Sequence, residues 1–300
     1  MKLFYYQRPD KLTNFGDLLN TWLWQKLLPN FFDHDPSITF IGTGTLLNHL
    51  LPQRTPKAEK LIIFSTGAGY EKKLTAIPDH WKIYCVRGFM TAQKLGLPKS
   101  MVVTDGGILI RRVFEASATK KQGFAFMPHI HHARYAGQTW QKICQEIGFS
   151  YIDPGWPVEK VLRAIAQTET LITEAMHGAI AADALRIPWI PVITSARILE
   201  FKWHDWCSSI NLPFQPHYLN PTIAPYPPVA QGIRSSIKAL RYWGRYYAQN
   251  WQKLQQSGAS QLQHLSNTAR SYLSQEQTLE RLTIELEERL YQLNDDFAKN

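Results

Sequence analysis

The sequence has few cysteines, fewer acidic than basic residues, and no long apolar run. Three cysteines among 300 residues, with no CxxC pair, exclude a disulfide framework and a zinc knuckle. No stretch reaches the roughly 18 apolar residues that a membrane-spanning helix needs, and the N-terminus lacks the apolar region of a secretion signal. We therefore expect a protein of the reducing cytoplasm that is neither secreted nor inserted in a membrane.

The composition indicates a folded protein with an anionic partner. Hydrophobic residues make up 44% of the chain and aromatic residues 12%, enough to form a core in each of two domains. The net charge of +9 favours binding to nucleic acid, to a membrane surface, or to a phosphorylated or carboxylated substrate. No known nucleic-acid-binding motif is present, so nucleic acid is not expected as a partner.

Apolar runs alternate with amphipathic ones up to about residue 215, which is typical of parallel sheets joined by crossover helices. The predicted strands are Leu3–Tyr6, Ile38–Ile41, Leu61–Ser65, Ile83–Val86, Met101–Thr104, Gly123–Met127, Leu171–Thr173 and Trp189–Val192. The predicted helices are Gly16–Leu28, Phe89–Leu95, Thr139–Ile147, Val158–Gln167 and Gly178–Leu185. Lys120–Gln122 separates two strand groups, so we predict an α/β protein of two Rossmann-like domains, 1–119 and 120–215, with a binding cleft between them.

Residues 216–300 have a different pattern, a proline-rich connection followed by a helical tail. The segment 232–256 combines five cations with aromatic residues and has no acid, so it either lies on an anionic membrane or packs against the body. The last segment has leucines at helical spacing, which predicts a helix that docks on the body or pairs two copies. These leucines are Leu279, Leu282, Leu286, Leu290 and Leu293.

Glycine-bearing turns follow the first predicted strands. Asn14, Gly16 and Asp17 lie where the first helix opens, and Gly42 and Gly44 follow the second strand. The carboxyl edge of a parallel sheet is the usual ligand site, and helix N-termini favour anions. Each turn alone is also consistent with a tight connection, and none completes GxGxxG. Together they predict an anion-binding edge and no dinucleotide site.

Three later strand ends carry side chains suited to chemistry. Arg87 can capture a phosphate or carboxylate, with a surface salt bridge as the alternative, and Asp105 is a candidate general base or hydrogen-bond organiser. His129 ends the first strand of the second half. His131 and His132 follow it without a carboxylate or cysteine partner at ligand spacing, so no metal site is predicted.

The stretch Leu171–Leu185 carries the strongest signal. A strand ends and a helix opens around Glu174, His177 and Gly178, and small residues let that helix approach the sheet closely. An anion at this helix N-terminus would meet free N–H groups, with His177 beside it to transfer a proton. Lys202 adds a cation that we expect to fold back toward the same cleft.

Five motifs occur in the order found in the polysaccharide pyruvyl transferase family, which the chain resembles over roughly residues 1–210. They are Asn14-Phe15-Gly16-Asp17, the Gly42/Gly44 turn, Val86-Arg87-Gly88, Thr104-Asp105 and Glu174-Ala175-Met176-His177-Gly178. The resemblance is strongest to the branch that adds pyruvyl ketals in succinoglycan-type exopolysaccharide synthesis, which shares Phe126-Met127-Pro128-His129.

The resemblance implies a GT-B-like pair of domains, phosphoenolpyruvate as co-substrate with no other cofactor, and a sugar diol as acceptor. It implies that His177 is the acid/base and that Glu174 or Asp105 orients it or acts as partner base. The expected substrate-binding residues are Asn14, Gly16, Asp17, Gly42, Gly44, Arg87, His129, Gly178 and Lys202. Many members have an arginine where this sequence has Ala175. Either Glu174 marks a branch with a rearranged donor site, or Arg87, Arg186 or Lys202 supplies that charge.

Two other functions remain open at this point. A GT-B glycosyltransferase that uses a nucleotide-sugar also binds phosphates at the N-terminus of a helix. A non-catalytic, membrane-associated component of glycan assembly would rely on the tail. A lipid-linked acceptor would hold the protein on the inner face of the plasma membrane, through residues 232–256, and the last helix could join two copies.

Overall fold

The computed structural model describes residues 1–33, 35–115, 122–194, 198–219, 253 and 255–298. The linker predicted at Lys120–Gln122 lies outside the described residues except for Gln122. The proline-rich connection beyond residue 219 also lies outside them, as does the basic segment 232–256 apart from residues 253, 255 and 256.

Parallel strands and helices make up the described chain. In chain order the strands are β1 (Lys2–Phe4), β2 (Ile38–Ile41), β3 (Thr45–Leu47), β4 (Lys60–Phe64), β5 (Gly67–Ala68), β6 (Trp81–Cys85), β7 (Gln122–Met127), β8 (Ser150–Tyr151), β9 (Thr168–Thr173), β10 (Trp189–Ile193) and β11 (His217–Tyr218). The helices are α1 (Phe15–Leu27), α2 (Leu51–Arg54), α3 (Phe89–Leu95), α4 (Ile110–Val113), α5 (Ile130–Glu146), α6 (Val158–Ala166), α7 (Met176–Ala184), α8 (Glu200–Ser209), α9 (255–268) and α10 (Glu276–Ala298).

The strands form two larger sheets and one small one. The first sheet has the order β1-β2-β4-β6, the second has the order β11-β10-β9-β7-β8, and β3 pairs with β5. Every paired strand runs parallel to its neighbour. These pairings confirm the predicted α/β class with parallel sheets, and β11 carries the second sheet past residue 215.

Two elements differ from the prediction. In place of the strand expected at Met101–Thr104, the 3-10 turn Lys99–Met101 is followed by a single bridge between Val86 and Val102, because β6 ends at Cys85 and leaves little strand to pair with. Helix α5 begins nine residues before the predicted Thr139, since the His129 side chain accepts a hydrogen bond from the His131 N–H and caps it.

Helix α10 of the tail packs onto the rest of the protein and contributes to its hydrophobic core. The five leucines of α10 are buried in the same apolar cluster as residues of α1 and α7. Arg112 on α4 pairs with Glu280 and Glu287 of α10. The prediction that this leucine face pairs two copies is not supported, because the same chain already buries it. Among the described residues, no helix has the length and apolar character needed to cross a bilayer.

Candidate active site

Helices α1 and α7 meet at their N-terminal turns, where His177 lies against Gly16. A Cβ on Gly16 would lie 2.2 Å from the Nδ1 atom of His177, which is far inside van der Waals contact. Glycine is therefore required here by the close approach of the imidazole. The sequence predicts that both residues belong to a site, and the structure brings them together.

Asp105 faces the other side of the same imidazole. Its Oδ2 atom lies 3.7 Å from His177 Nε2, and its Oδ1 atom accepts a hydrogen bond of 2.9 Å from the Gly107 N–H. The carboxyl group is fully buried. At 3.7 Å the two atoms lie just beyond hydrogen-bond distance, so the carboxylate faces the ring nitrogen without binding it.

Asp17 is a second carboxyl group near His177. Burial raises its pKa above the ordinary value, while a hydrogen bond of 2.9 Å from the Asn14 side chain and the charges of His177 and Lys202 oppose the rise. Asp17 therefore holds a proton to a higher pH than an exposed aspartate does. Asn14 and Asp17 lie at the N-terminus of α1, as predicted.

Glu174 is buried and satisfied by neighbours other than His177. Its carboxylate accepts hydrogen bonds from the N–H and hydroxyl of Thr194 at 2.8 and 2.6 Å, from the His129 N–H at 3.1 Å, and from the His132 ring at 3.3 Å. Burial alone would raise the pKa of Glu174, but His132, His129 and Thr194 outweigh it and lower the pKa to about 2. The geometry favours an ionised organiser of the surrounding loops over a proton-transfer partner of His177.

Arg87 does not extend into open solvent. Its guanidinium is completely buried and donates to Asp205 at 2.9 Å, to the Gly44 carbonyl at 3.0 Å and to the Thr45 hydroxyl at 2.9 Å. A Cβ on Gly67 would lie 2.2 Å from this guanidinium. The prediction that Arg87 captures a phosphate or carboxylate of a substrate is therefore not supported. Arg87 instead forms a buried ion pair that joins the end of β6, the Gly44 turn and α8.

The remaining predicted glycines also have packing roles. A Cβ on Gly42 would lie 2.0 Å from the indole nitrogen of Trp24, and one on Gly178 would lie 2.7 Å from the sulfur of Met127. Gly44 has φ of +135°, a backbone conformation that side-chain-bearing residues rarely adopt. These glycines shape the edges of both sheets, and Gly178 lets α7 approach β7.

Of the three cations that are candidates to replace the arginine at Ala175, Lys202 is the one whose charge lowers the pKa of both Asp17 and His129. Arg186 lies beyond the far end of α7 and pairs with Glu276 at 2.8 Å. Lys202 is 8% exposed and donates to the Tyr70 hydroxyl at 3.0 Å. Burial, reinforced by the charge of Lys202, lowers the pKa of His129 well below its usual value. His129 therefore loses its proton at a lower pH than an exposed histidine does.

Arg8 was missed by the sequence reasoning. It lies in the loop after β1, pairs with Asp10 at 2.7 Å, and approaches the His131 ring at 3.5 Å. Its charge lowers the pKa of both Asp17 and His129, as the charge of Lys202 does. Its place just beyond a parallel strand is the signal that could have found it, the same one that pointed to Arg87.

Most of these residues, with Lys202 and Asp205 as exceptions, lie within the region matched by a known family. The model of the family described as "Polysaccharide pyruvyl transferase" matches residues 5–195, more than half of the chain. The chain belongs to the polysaccharide pyruvyl transferase family. It is also similar to the succinoglycan biosynthesis protein ExoV of Rhizobium meliloti (strain 1021), with 37% identity over 246 residues that span 81% of this chain and 73% of that protein.

Family membership makes the protein a transferase that moves pyruvyl groups to polysaccharide. The matched region contains Asp17, Asp105 and His177, whereas Lys202 lies seven residues beyond it. This pyruvyl transferase thus combines a histidine, two carboxyl groups of different character and a nearly buried cation. Such a set can transfer protons and hold an anionic substrate.

Proposed function

We propose that this pyruvyl transferase takes its pyruvyl group from phosphoenolpyruvate and forms a cyclic ketal on a sugar diol of an exopolysaccharide. The position of His177, between Asp105 and the N-terminal turn of α1, carries the proposal. The name of the ExoV relative supports an exopolysaccharide of the succinoglycan type as the acceptor. The two sheets would form the halves of a GT-B-like arrangement, with the donor in the cleft between them.

The reaction needs one proton moved to carbon and two hydroxyl groups added to carbon. Protonated His177 gives its proton to the methylene C3 of phosphoenolpyruvate, which makes C2 electrophilic. The first sugar hydroxyl adds to C2, phosphate leaves with its bridging oxygen, and the second hydroxyl closes the ketal. Of the two hydroxyl protons, one restores His177 and the other leaves on the phosphate.

The charges around His177 match these steps. Asp105 stabilises the imidazolium that delivers the proton, and Lys202 offers a cation to the donor's carboxylate or phosphate. The uncapped first turn of α7 adds backbone N–H donors at the same place. Asp17 is the candidate relay that takes a proton from an attacking hydroxyl and passes it to the departing phosphate.

We also propose that the enzyme works on the inner face of the plasma membrane, where a lipid-linked acceptor would be assembled. The basic, aromatic segment 232–256 would provide the peripheral contact. Flotation with anionic liposomes tests this contact. A variant with Arg234, Lys238, Arg241 and Arg245 neutralised should lose membrane association and keep its activity on a soluble acceptor, whereas unchanged partitioning would contradict the proposal.

The deciding experiment is mass spectrometry of an acceptor glycan after incubation with phosphoenolpyruvate. Ketal formation adds about 70 Da, whereas transfer of a hexose from a nucleotide-sugar adds about 162 Da. His177→Ala should lower phosphate release with acceptor present by about 100-fold or more, with an unchanged melting temperature. Full activity of that variant would remove His177 from the mechanism.

A further inference from the structure

Tyr70 has a strained backbone next to the site. Its φ of +63° is rare for a bulky aromatic residue, and it follows Gly69 with φ of +148°. The Gly69 carbonyl accepts hydrogen bonds from the Asn48 side chain at 3.3 Å and from the Glu71 N–H at 2.9 Å. Such strain persists only where the surroundings enforce it, and it concentrates at functional positions.

The ring of Tyr70 is held at one edge and is open elsewhere. Its hydroxyl accepts the hydrogen bond from Lys202, whose Nζ atom also lies 5.5 Å from the ring centroid. Lys202 is 8% exposed, whereas Tyr70 is 55% exposed. The anchored hydroxyl therefore fixes the orientation of a ring that presents apolar surface to solvent.

The charge of Lys202 links this ring to the reacting groups. The charge of Lys202 lowers the pKa of Asp17 and of His129, and the charge of His177 also lowers the pKa of Asp17. Tyr70 is thus in direct contact with Lys202, on the side of the protein where β5 and α8 meet. A donor as small as phosphoenolpyruvate has no ring to stack there, whereas a sugar acceptor does.

We propose that Tyr70 is the platform on which the acceptor sugar stacks, with the C–H face of a pyranose ring on the aromatic face. This inference rests on the proposed function, because it needs a saccharide acceptor at the His177 site. The preset orientation of the ring lowers the entropic cost of binding the acceptor. Tyr70 contributes to acceptor affinity and Lys202 to donor affinity, so the two effects are separable.

The test compares three variants with the wild-type enzyme, using phosphoenolpyruvate and oligosaccharides prepared from succinoglycan and freed of their pyruvyl groups. Tyr70→Asn removes the ring but tolerates a positive φ, so the loop keeps its fold. Tyr70→Phe keeps the ring and removes the hydroxyl. Tyr291→Asn is the control, because Tyr291 is 70% exposed on α10.

We expect Tyr70→Asn to raise the acceptor KM by about tenfold or more and to leave the donor KM within about twofold. Tyr70→Phe should stay within about threefold of wild type for the acceptor, and Tyr291→Asn should match wild type. An unchanged acceptor KM in Tyr70→Asn would overturn the proposal. A rise in the donor KM alone would also overturn the proposal, since that result would mean that Tyr70 positions Lys202 and does not bind the acceptor.

Saturation-transfer NMR with the same oligosaccharides and no donor provides a readout that needs no turnover. Tyr70→Asn should lose most of the saturation transferred to the sugar ring protons, and equal signals in wild type and variant would overturn the inference. If the wild type makes no ketal yet binds the sugar through Tyr70, the proposed reaction fails and the platform stands.

Discussion

Asp105 Oδ2 and His177 Nε2 lie 3.7 Å apart, and neither atom has a hydrogen-bond partner among the described residues. Asp105 precedes the 3-10 turn Gly106–Leu109, three residues after the bridge between Val86 and Val102, and His177 lies in the first turn of α7, after β9 of the second sheet. Two buried polar atoms without hydrogen bonds lower the free energy of unfolding, and a functional role explains why such a pair is kept. The two groups that define the site thus come from connections on separate parts of the chain.

Asp105→Asn should lower kcat by about 100-fold or more, because the amide no longer stabilises the imidazolium of His177. Phosphate release in the presence of acceptor measures the loss. Asp153→Asn is the matched control, since Asp153 accepts the same type of hydrogen bond from the N–H two residues ahead. Equal losses in both variants would indicate a loop effect and not a role in proton transfer.

Gly16→Ala should inactivate the enzyme while leaving its fold intact. The new methyl group would lie where the His177 ring lies, and a displacement of about 1 Å can cost about 100-fold in rate. Alanine favours helix over glycine, so lost helix stability cannot explain a loss of activity. Gly123→Ala, whose added Cβ would meet only Glu169 at 3.7 Å, should remain active.

The lowered pKa of Glu174 predicts that the free energy of unfolding decreases at acid pH. Its folded pKa of about 2 lies below the ordinary 4.5, so its stabilisation is complete above about pH 4.5 and is lost as the pH falls toward 2. Urea unfolding at pH 7 and pH 3 measures this loss. In Glu174→Gln the decrease between these pH values should be smaller than in wild type by about 2 kcal/mol.

Glu169→Gln is the control for that experiment, because Glu169 is exposed on the same strand β9. Its unfolding free energy should change with pH as the wild type's does. A Glu174→Gln profile parallel to that of wild type would show that Glu174 is not ionised in the way its contacts require.

Leu286→Ala tests whether α10 belongs to the core. Leu286 is fully buried, so its truncation should lower the free energy of unfolding by about 2–5 kcal/mol, whereas Ile284→Ala, at a position 45% exposed, should cost less than about 1 kcal/mol. Light scattering should give the same mass for both variants and for wild type. A stable variant of reduced mass would instead support a dimer contact through the leucines.

Periodicity in the sequence predicts most of the fold because parallel, buried strands have continuous apolar runs. Strand β2 and helix α3 have their predicted bounds, and the other predicted elements except Met101–Thr104 and the start of α5 shift by a few residues. The strands β3, β5, β8 and β11 have two or three residues each, too few for a pattern. Helix α8 was missed because tryptophans and charges alternate along it without a clear apolar stripe.

The site was predictable where a motif and a strand end coincide, as for Asp105 and His177. Arg87 has the same signal, but its partner Asp205 lies 118 residues later, and no local pattern reveals that pair. Tyr70 belongs to a loop fixed by contacts from Asn48 and Lys202. Long-range contacts of this kind decide whether a charged strand end faces substrate or core.

The position of α10 has a consequence for how the protein is made. Tyr272 bridges to Trp189 beside the second sheet, Ser274 bonds to Asp183 on α7, and the helix that follows covers residues of α1. Every strand that the structure describes is synthesised before this covering segment leaves the ribosome. The nascent enzyme therefore exposes part of its apolar interior until late in translation, and a stop codon before residue 272 removes a wall of the core and not a dispensable extension.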